Sequence, residues 1–133
     1  MTTNDARQPL GRILLIDAAT CAAMGGLLIL GAGPIAGLTA MPEPLLFWAG
    51  VLLIPVAAYM ALVARRATDS GAAVWLAILG NLGWVAASLA LFAFVAPNAL
   101  GAILVLGQAA VVAALAWAEF TAWRGAGTDR ATA

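Results

Sequence analysis

The sequence predicts an all-α protein: a transmembrane four-helix bundle, antiparallel in up-down-up-down order, with both termini cytoplasmic. Three observations predict it. The 133 residues are 65% hydrophobic and only 9% charged, with a mean hydropathy of +1.04; a soluble domain carries about 25% charged residues to cover its wet surface. The apolar residues gather into four runs, at 13–33, 45–64, 72–95 and 99–123. Each is close to the roughly 20 residues that carry a helix across hydrocarbon. All six positive charges are arginines, and all fall on one side of that map: Arg7 and Arg12 before the first run, Arg65 and Arg66 between the second and third, Arg124 and Arg130 after the fourth. The excess of positive charge in cytoplasmic loops then sets the orientation. A chain of this length is read as a single integral membrane domain.

Each element follows in order. Residues 1–12 are polar and expected to fray. The four runs are helices because backbone groups in lipid must find partners within the segment. Pro34, Pro42 and Pro44 flank the first outer connection, where proline is expected to end the first helix and stiffen the turn. Pro55, inside the second run, is expected to kink it. The polar segment from Arg65 to Gly71 makes the inner turn, with Asp69 or Ser70 as the cap of the third helix. Pro97 and Asn98 leave so short a turn that the third and fourth helices must be antiparallel neighbours. Trp48 at the outer level, and Trp75, Trp117 and Trp123 at the inner, suit the interfacial belts. A cleaved signal peptide is the competing reading of the first run. The run is longer than an ordinary signal core, and Leu38-Thr39-Ala40 is a poor cleavage site, so a retained span is expected. A faint repeat relates Asp17 and Pro34 to Asn81 and Pro97.

Composition also excludes function classes. A formal net charge of zero gives no basic face for nucleic acid. Histidine is absent and Cys21 stands alone, which removes His-ligated haem, His-based zinc sites, multi-cysteine metal sites and the usual general base at neutral pH. No phosphate-binding loop, dinucleotide fingerprint or nucleophile elbow occurs, and the loops are too short to hold a catalytic set. The expectation is a non-enzyme without cofactors. The absence of lysine beside abundant alanine, glycine and arginine suggests a GC-rich bacterial genome, and with it a multi-pass protein of the inner (cytoplasmic) membrane whose constant partner is the lipid bilayer.

The polar residues inside the runs are the candidate sites: Asp17, Tyr59, Asn81, Gln108 and Glu119. Asp17 and Glu119 lie about one turn inside the cytoplasmic edges of their runs, with Tyr59 near the same level. At that depth the expected role is pairing with Arg12 or Arg124 in the headgroup zone. The alternative is a proton or cation site, since intramembrane carboxylates mark pathways and relays, with Asp17 the stronger candidate. Asn81 and Gln108 both fall near mid-span on neighbouring helices. They are expected to bond each other, stabilising the bundle by about 0.6–2 kcal/mol, the alternative being a polar substrate contact. Small residues recur at four-residue spacing in Ala18-Ala22-Gly26, Ala19-Ala23 and Ala110-Ala114-Ala118, and Gly80 and Gly83 flank Asn81. Such stripes let helices approach closely and point to a homodimer or a larger membrane complex. Two functions follow: a small accessory or structural subunit, or homo-oligomer, that works by helix packing; or a small proton-coupled transporter with Asp17 as its titrating residue.

On the stretches Leu15-Ile16-Asp17-Ala18-Ala19-Thr20-Cys21-Ala22-Ala23-Met24-Gly25, Asn81-Leu82-Gly83-Trp84-Val85-Ala86-Ala87-Ser88 and Gly107-Gln108-Ala109, the chain resembles small, uncharacterised four-span integral membrane proteins of bacteria. The resemblance spans nearly the whole chain. It implies the four-helix fold and no assigned activity.

Overall fold

In the computed structural model, residues 7–132 are described, Arg130 by its backbone alone. They form four long helices: α1 (Gln8–Thr39), α2 (Glu43–Arg66), α3 (Gly71–Ala90) and α4 (Ala99–Ala131), with a short 3-10 turn at Leu91–Ala93. All four are long and apolar enough to cross a membrane. No strand occurs among the described residues. The chain is a four-helix membrane protein.

The helix ends correct the expected boundaries. α1 begins at Gln8 rather than at 13, with Pro9 in its first turn, where a missing N–H costs nothing. Gln8 to Arg12 therefore belong to α1 and not to a frayed start, and Met1 to Ala6 lie outside the described residues. Pro34 does not end α1, which continues to Thr39 and stops at Ala40 in the left-handed conformation, φ 55°. Within a bundle, neighbouring groups make an internal proline tolerable, and α2 likewise runs without a break through Pro55. Pro42 precedes α2 and Pro44 opens it. Because Pro34 sits inside a helix and Pro97 outside one, the faint repeat has no counterpart in the helix boundaries. α4 extends to Ala131 rather than 123.

Two side chains set helix starts. Ser70 is the cap of α3, its hydroxyl accepting from the Ala73 N–H at 3.3 Å. Asn98 caps α4, accepting from the Gly101 N–H at 2.9 Å, and its amide donates to the Leu38 carbonyl at 2.7 Å. One residue thus starts α4 and ties that start to the last turn of α1.

The contacts fix the topology. Gly11 meets Ala64, Gly25 meets Gly50 and Gly33 meets Glu43, so α1 and α2 run antiparallel along their whole length. Gly71 meets Trp123, and Trp75 meets Phe120, so α3 and α4 do the same. α1 packs chiefly on α2 and α3 on α4; α1 and α4 also meet, while α2 and α3 barely touch. At the Gly25–Gly50 crossing a Cβ added to Gly50 would stand 2.8 Å from the Gly25 carbonyl oxygen, so glycine is required for that approach. Besides core packing, hydrogen bonds join the pairs 1–2 and 3–4 at several levels. At one end the Asn98 N–H donates to the Thr39 carbonyl at 3.0 Å. Another join is the polar centre described next. A core of Leu10, Leu14, Ala18, Met60, Val63, Val74, Ala77 and Ile78 fills the bundle toward the arginine-bearing end.

Candidate functional site

Helix geometry places three polar side chains at one level. Asp17 is nine residues from the start of α1, Asn81 ten from the start of α3, and Glu119 twelve from the end of α4. At 1.5 Å per residue each lies about 14–18 Å from its helix end on the arginine side. All three are buried, Asp17 and Glu119 completely.

They form one cluster. The Asn81 amide nitrogen donates to Asp17 Oδ2 at 2.6 Å and to Glu119 Oε2 at 3.2 Å. Both N–H bonds of that amide are therefore used, and the two accepting oxygens lie within about 6 Å of each other, a range in which like charges oppose each other's ionisation. The Cys21 thiol donates weakly to Asp17 Oδ1 at 3.6 Å. Glu119 Oε1 is buried with no partner. Among the described residues no arginine pairs with either acid. Arg12 and Arg124 are exposed, and Arg124 lies over the Phe120 ring, 5.5 Å from its centre.

The expected headgroup pairing of Asp17 and Glu119 is thus replaced by burial around one amide. The cause is the extra helix at the arginine end, which sets both acids deeper than the apolar runs suggest. Nor do Asn81 and Gln108 meet. Gln108 lies eleven residues, about 16 Å, along α4 from Glu119, and makes a second cluster. The Trp84 indole N–H donates to Gln108 Oε1 at 2.8 Å, and Gln108 Nε2 donates to Ser88 Oγ at 2.9 Å and to the Val105 carbonyl at 3.0 Å. The Ser88 hydroxyl in turn donates to the Trp84 carbonyl at 2.8 Å. Tyr59, expected in the polar layer, instead donates to the Ala73 carbonyl at 2.8 Å and bridges α2 to α3. Cys21 and Ser88 join these clusters beyond the five candidate residues. Their four-residue spacing from Asp17 and Trp84 was the available signal, since residues i and i+4 share a helix face.

The space between the helix pairs is incompletely filled. A cavity of about 450 Å³ lies beside the acid cluster and takes in Asp17, Cys21, Asn81, Trp84 and Gln108 among apolar neighbours such as Leu53 and Val56. A second, of about 350 Å³, continues toward the Asn98 end past Leu28, Met41, Leu46 and Leu91. Both are bordered by Met24, Trp84, Leu104 and Gln108. No group of three or more acidic, cysteine or histidine side chains suited to a metal ion occurs among the described residues.

Comparison with family models, with curated proteins and with solved structures finds no match. The expected family likeness thus gains no support from them, and the reading of function rests on the cluster and its cavity.

Proposed function

We propose that the protein is a small proton-coupled carrier of a bacterial inner membrane, and that Asp17 and Glu119 hold its exchangeable proton. The observation that carries this reading is the pair of fully buried carboxyl groups on one amide nitrogen, at 2.6 and 3.2 Å, with no cation beside them among the described residues. Two buried negative charges in one site do not coexist unpaired, so such a site holds a proton between its acids or takes up a cation. Glu119 Oε1, buried without a partner, is a position at which such a proton would be held. The adjoining cavity supports transport over a purely structural role, since a cluster that served only to fix helix positions would need no space beside it.

The packing reading, an accessory subunit or homo-oligomer, draws on a different observation. Ala19, Ala22, Ala23, Gly80, Gly83, Ala110 and Ala114 face outward, and nothing lies within 4 Å of a Cβ built on Gly80 or Gly83. These small residues are not consumed within the bundle, and they suit a second copy or a partner subunit.

The arginine distribution supports cytoplasmic termini. Reporter fusions at Ala40 and Asn98 are then expected outside, and fusions at Asp69 and Ala133 inside. The carrier reading is tested in proteoliposomes that hold a pH indicator. Wild type is expected to dissipate an imposed pH gradient faster when an organic or monovalent metal cation from a panel is added, and Asp17→Asn is expected to abolish the acceleration while remaining folded. A wild type that no cation accelerates, or an Asp17→Asn variant that matches wild type, overturns the reading.

A further inference from the structure

We infer that the cavity beside Asp17 binds compact apolar amines as their ammonium ions. The inference rests on reading the acid cluster as the functional centre, and adds the class of ligand that centre accepts.

The hydrogen-bond inventory selects the ligand. Every side-chain donor lining this cavity is already engaged. Asn81 uses both amide N–H bonds on the two acids, and Cys21 turns its thiol to Asp17. The Trp84 indole and both Gln108 amide N–H bonds are spent in the neutral cluster, and the Thr20 hydroxyl donates to the Ile16 carbonyl at 2.8 Å. An anion or a carbonyl-bearing ligand finds no donor here. What the wall does present is acceptor capacity. Asp17 accepts one bond at each oxygen, whereas a carboxylate accommodates about four. An ammonium group has donors and no acceptor, the complement of this wall.

The remainder of the ligand is fixed by the rest of the lining. Met24, Leu53, Val56, Leu104 and Val112 are apolar, and Trp84 adds an aromatic face. The volume of about 450 Å³ falls within the range of small-molecule sites, and apolar walls with few polar groups favour a compact hydrocarbon body. A permanent charge entering such a place would lose its hydration. A neutral amine avoids that loss. It enters with its lone pair free and takes the proton that Asp17 and Glu119 share. One O–H bond breaks as one N–H bond forms, which leaves both acids as carboxylates and the ammonium ion against Asp17, the acid that lines the cavity. Net charge in the site does not change, and no further reactant is needed.

The test uses the full chain in phosphatidylcholine nanodiscs, with 1-aminoadamantane as the probe and 1-adamantanol as its neutral counterpart. The five tryptophans give separate indole N–H signals in a nitrogen–proton correlation spectrum, and Trp84→Phe assigns the one at the cavity. The amine is expected to shift the Trp84 signal saturably and the alcohol to leave it in place. Asp17→Asn is expected to weaken the amine at least about tenfold. Leu104→Trp, which fills the cavity and leaves both acids intact, is expected to abolish binding, and it carries the test if the Asp17 variant does not fold. Equal shifts from amine and alcohol, undiminished affinity in Asp17→Asn, or undiminished affinity in Leu104→Trp overturns the inference. Infrared detection of a protonated carboxyl in the same samples separates the two claims. A protonated carboxyl without selective amine binding removes the ligand and leaves the proton centre. Selective amine binding without a protonated carboxyl removes the shared proton and leaves a cation site.

Discussion

Two polar clusters lie in the interior of this bundle, one built on Asn81 and the other on Gln108, and they are opposites in their accounting of hydrogen bonds. Around Gln108 every group is neutral and every N–H finds an acceptor: Trp84 to Gln108, Gln108 to Ser88 and Val105, Ser88 back to Trp84. Around Asn81 two acids converge on one amide, and Glu119 Oε1 is left without a partner. The first arrangement is closed and ties α3 to α4. The second is open to a proton or a cation, and it is the point where α1, α3 and α4 meet. A satisfied network fixes positions; an unsatisfied one, buried at a cost in stability, is where an exchangeable ligand belongs.

Substitutions sharpen the contrast, beginning with the largest effect. Asn81→Leu removes the amide that both acids share, and a buried acceptor left unsatisfied costs about 1–3 kcal/mol, more when it is charged. Unfolding titration in detergent is expected to register a loss of that size. A loss below about 1 kcal/mol would mean that the cluster is hydrated or paired elsewhere. Gln108→Leu is expected to cost about 1–2 kcal/mol, the range for interhelical hydrogen bonds in membranes, and to leave the protonation of Asp17 and Glu119 as in wild type by infrared titration. A changed carboxyl signal in that variant would join the two clusters into one. Ser88→Ala deletes one donor and one acceptor of the closed cluster while Trp84 and Gln108 still hold each other. Its expected cost is about 0.5–1 kcal/mol by the same unfolding titration. Glu119→Gln is expected to change stability least, within about 1 kcal/mol of wild type in either direction, because it removes the like-charge pair and supplies a neutral amide. It is expected to abolish proton exchange all the same.

Much of this was legible in the sequence, and the failures share one cause. Four apolar runs give four helices because lipid leaves the backbone no other partner. Asp17, Asn81 and Glu119 each stand out as polar residues in apolar surroundings. Their meeting does not, because apolar runs mark where hydrocarbon begins and not where helices begin. α1 starts five residues before its run and α4 ends eight residues after its own, which places the acids about 7 and 12 Å deeper from their helix ends than the runs imply. The same error pairs Asn81 with Gln108, since both fall near the middle of a run. The level of Asn81 on α4 is that of Glu119, and only the register of α3 against α4, set through Trp75–Phe120 and Gly71–Trp123, reveals it. The Gly25–Gly50 crossing was hidden for another reason. Close approach depends on helix rotation, and in a chain with 14 glycines spacing alone does not say which two face each other. The alanine stripes that spacing did pick out on α1 and α4 face largely outward, although Ala18 packs in the core.

Infrared difference spectroscopy across a pH titration in nanodiscs tests most directly whether Asp17 and Glu119 share one exchangeable proton. Wild type is predicted to show a protonated-carboxyl band at neutral pH that disappears on raising the pH, and that moves in frequency in both Asp17→Asn and Glu119→Gln, where the proton is no longer shared between two acids. No such band in wild type, or the same band persisting unchanged in both variants, would contradict a shared proton.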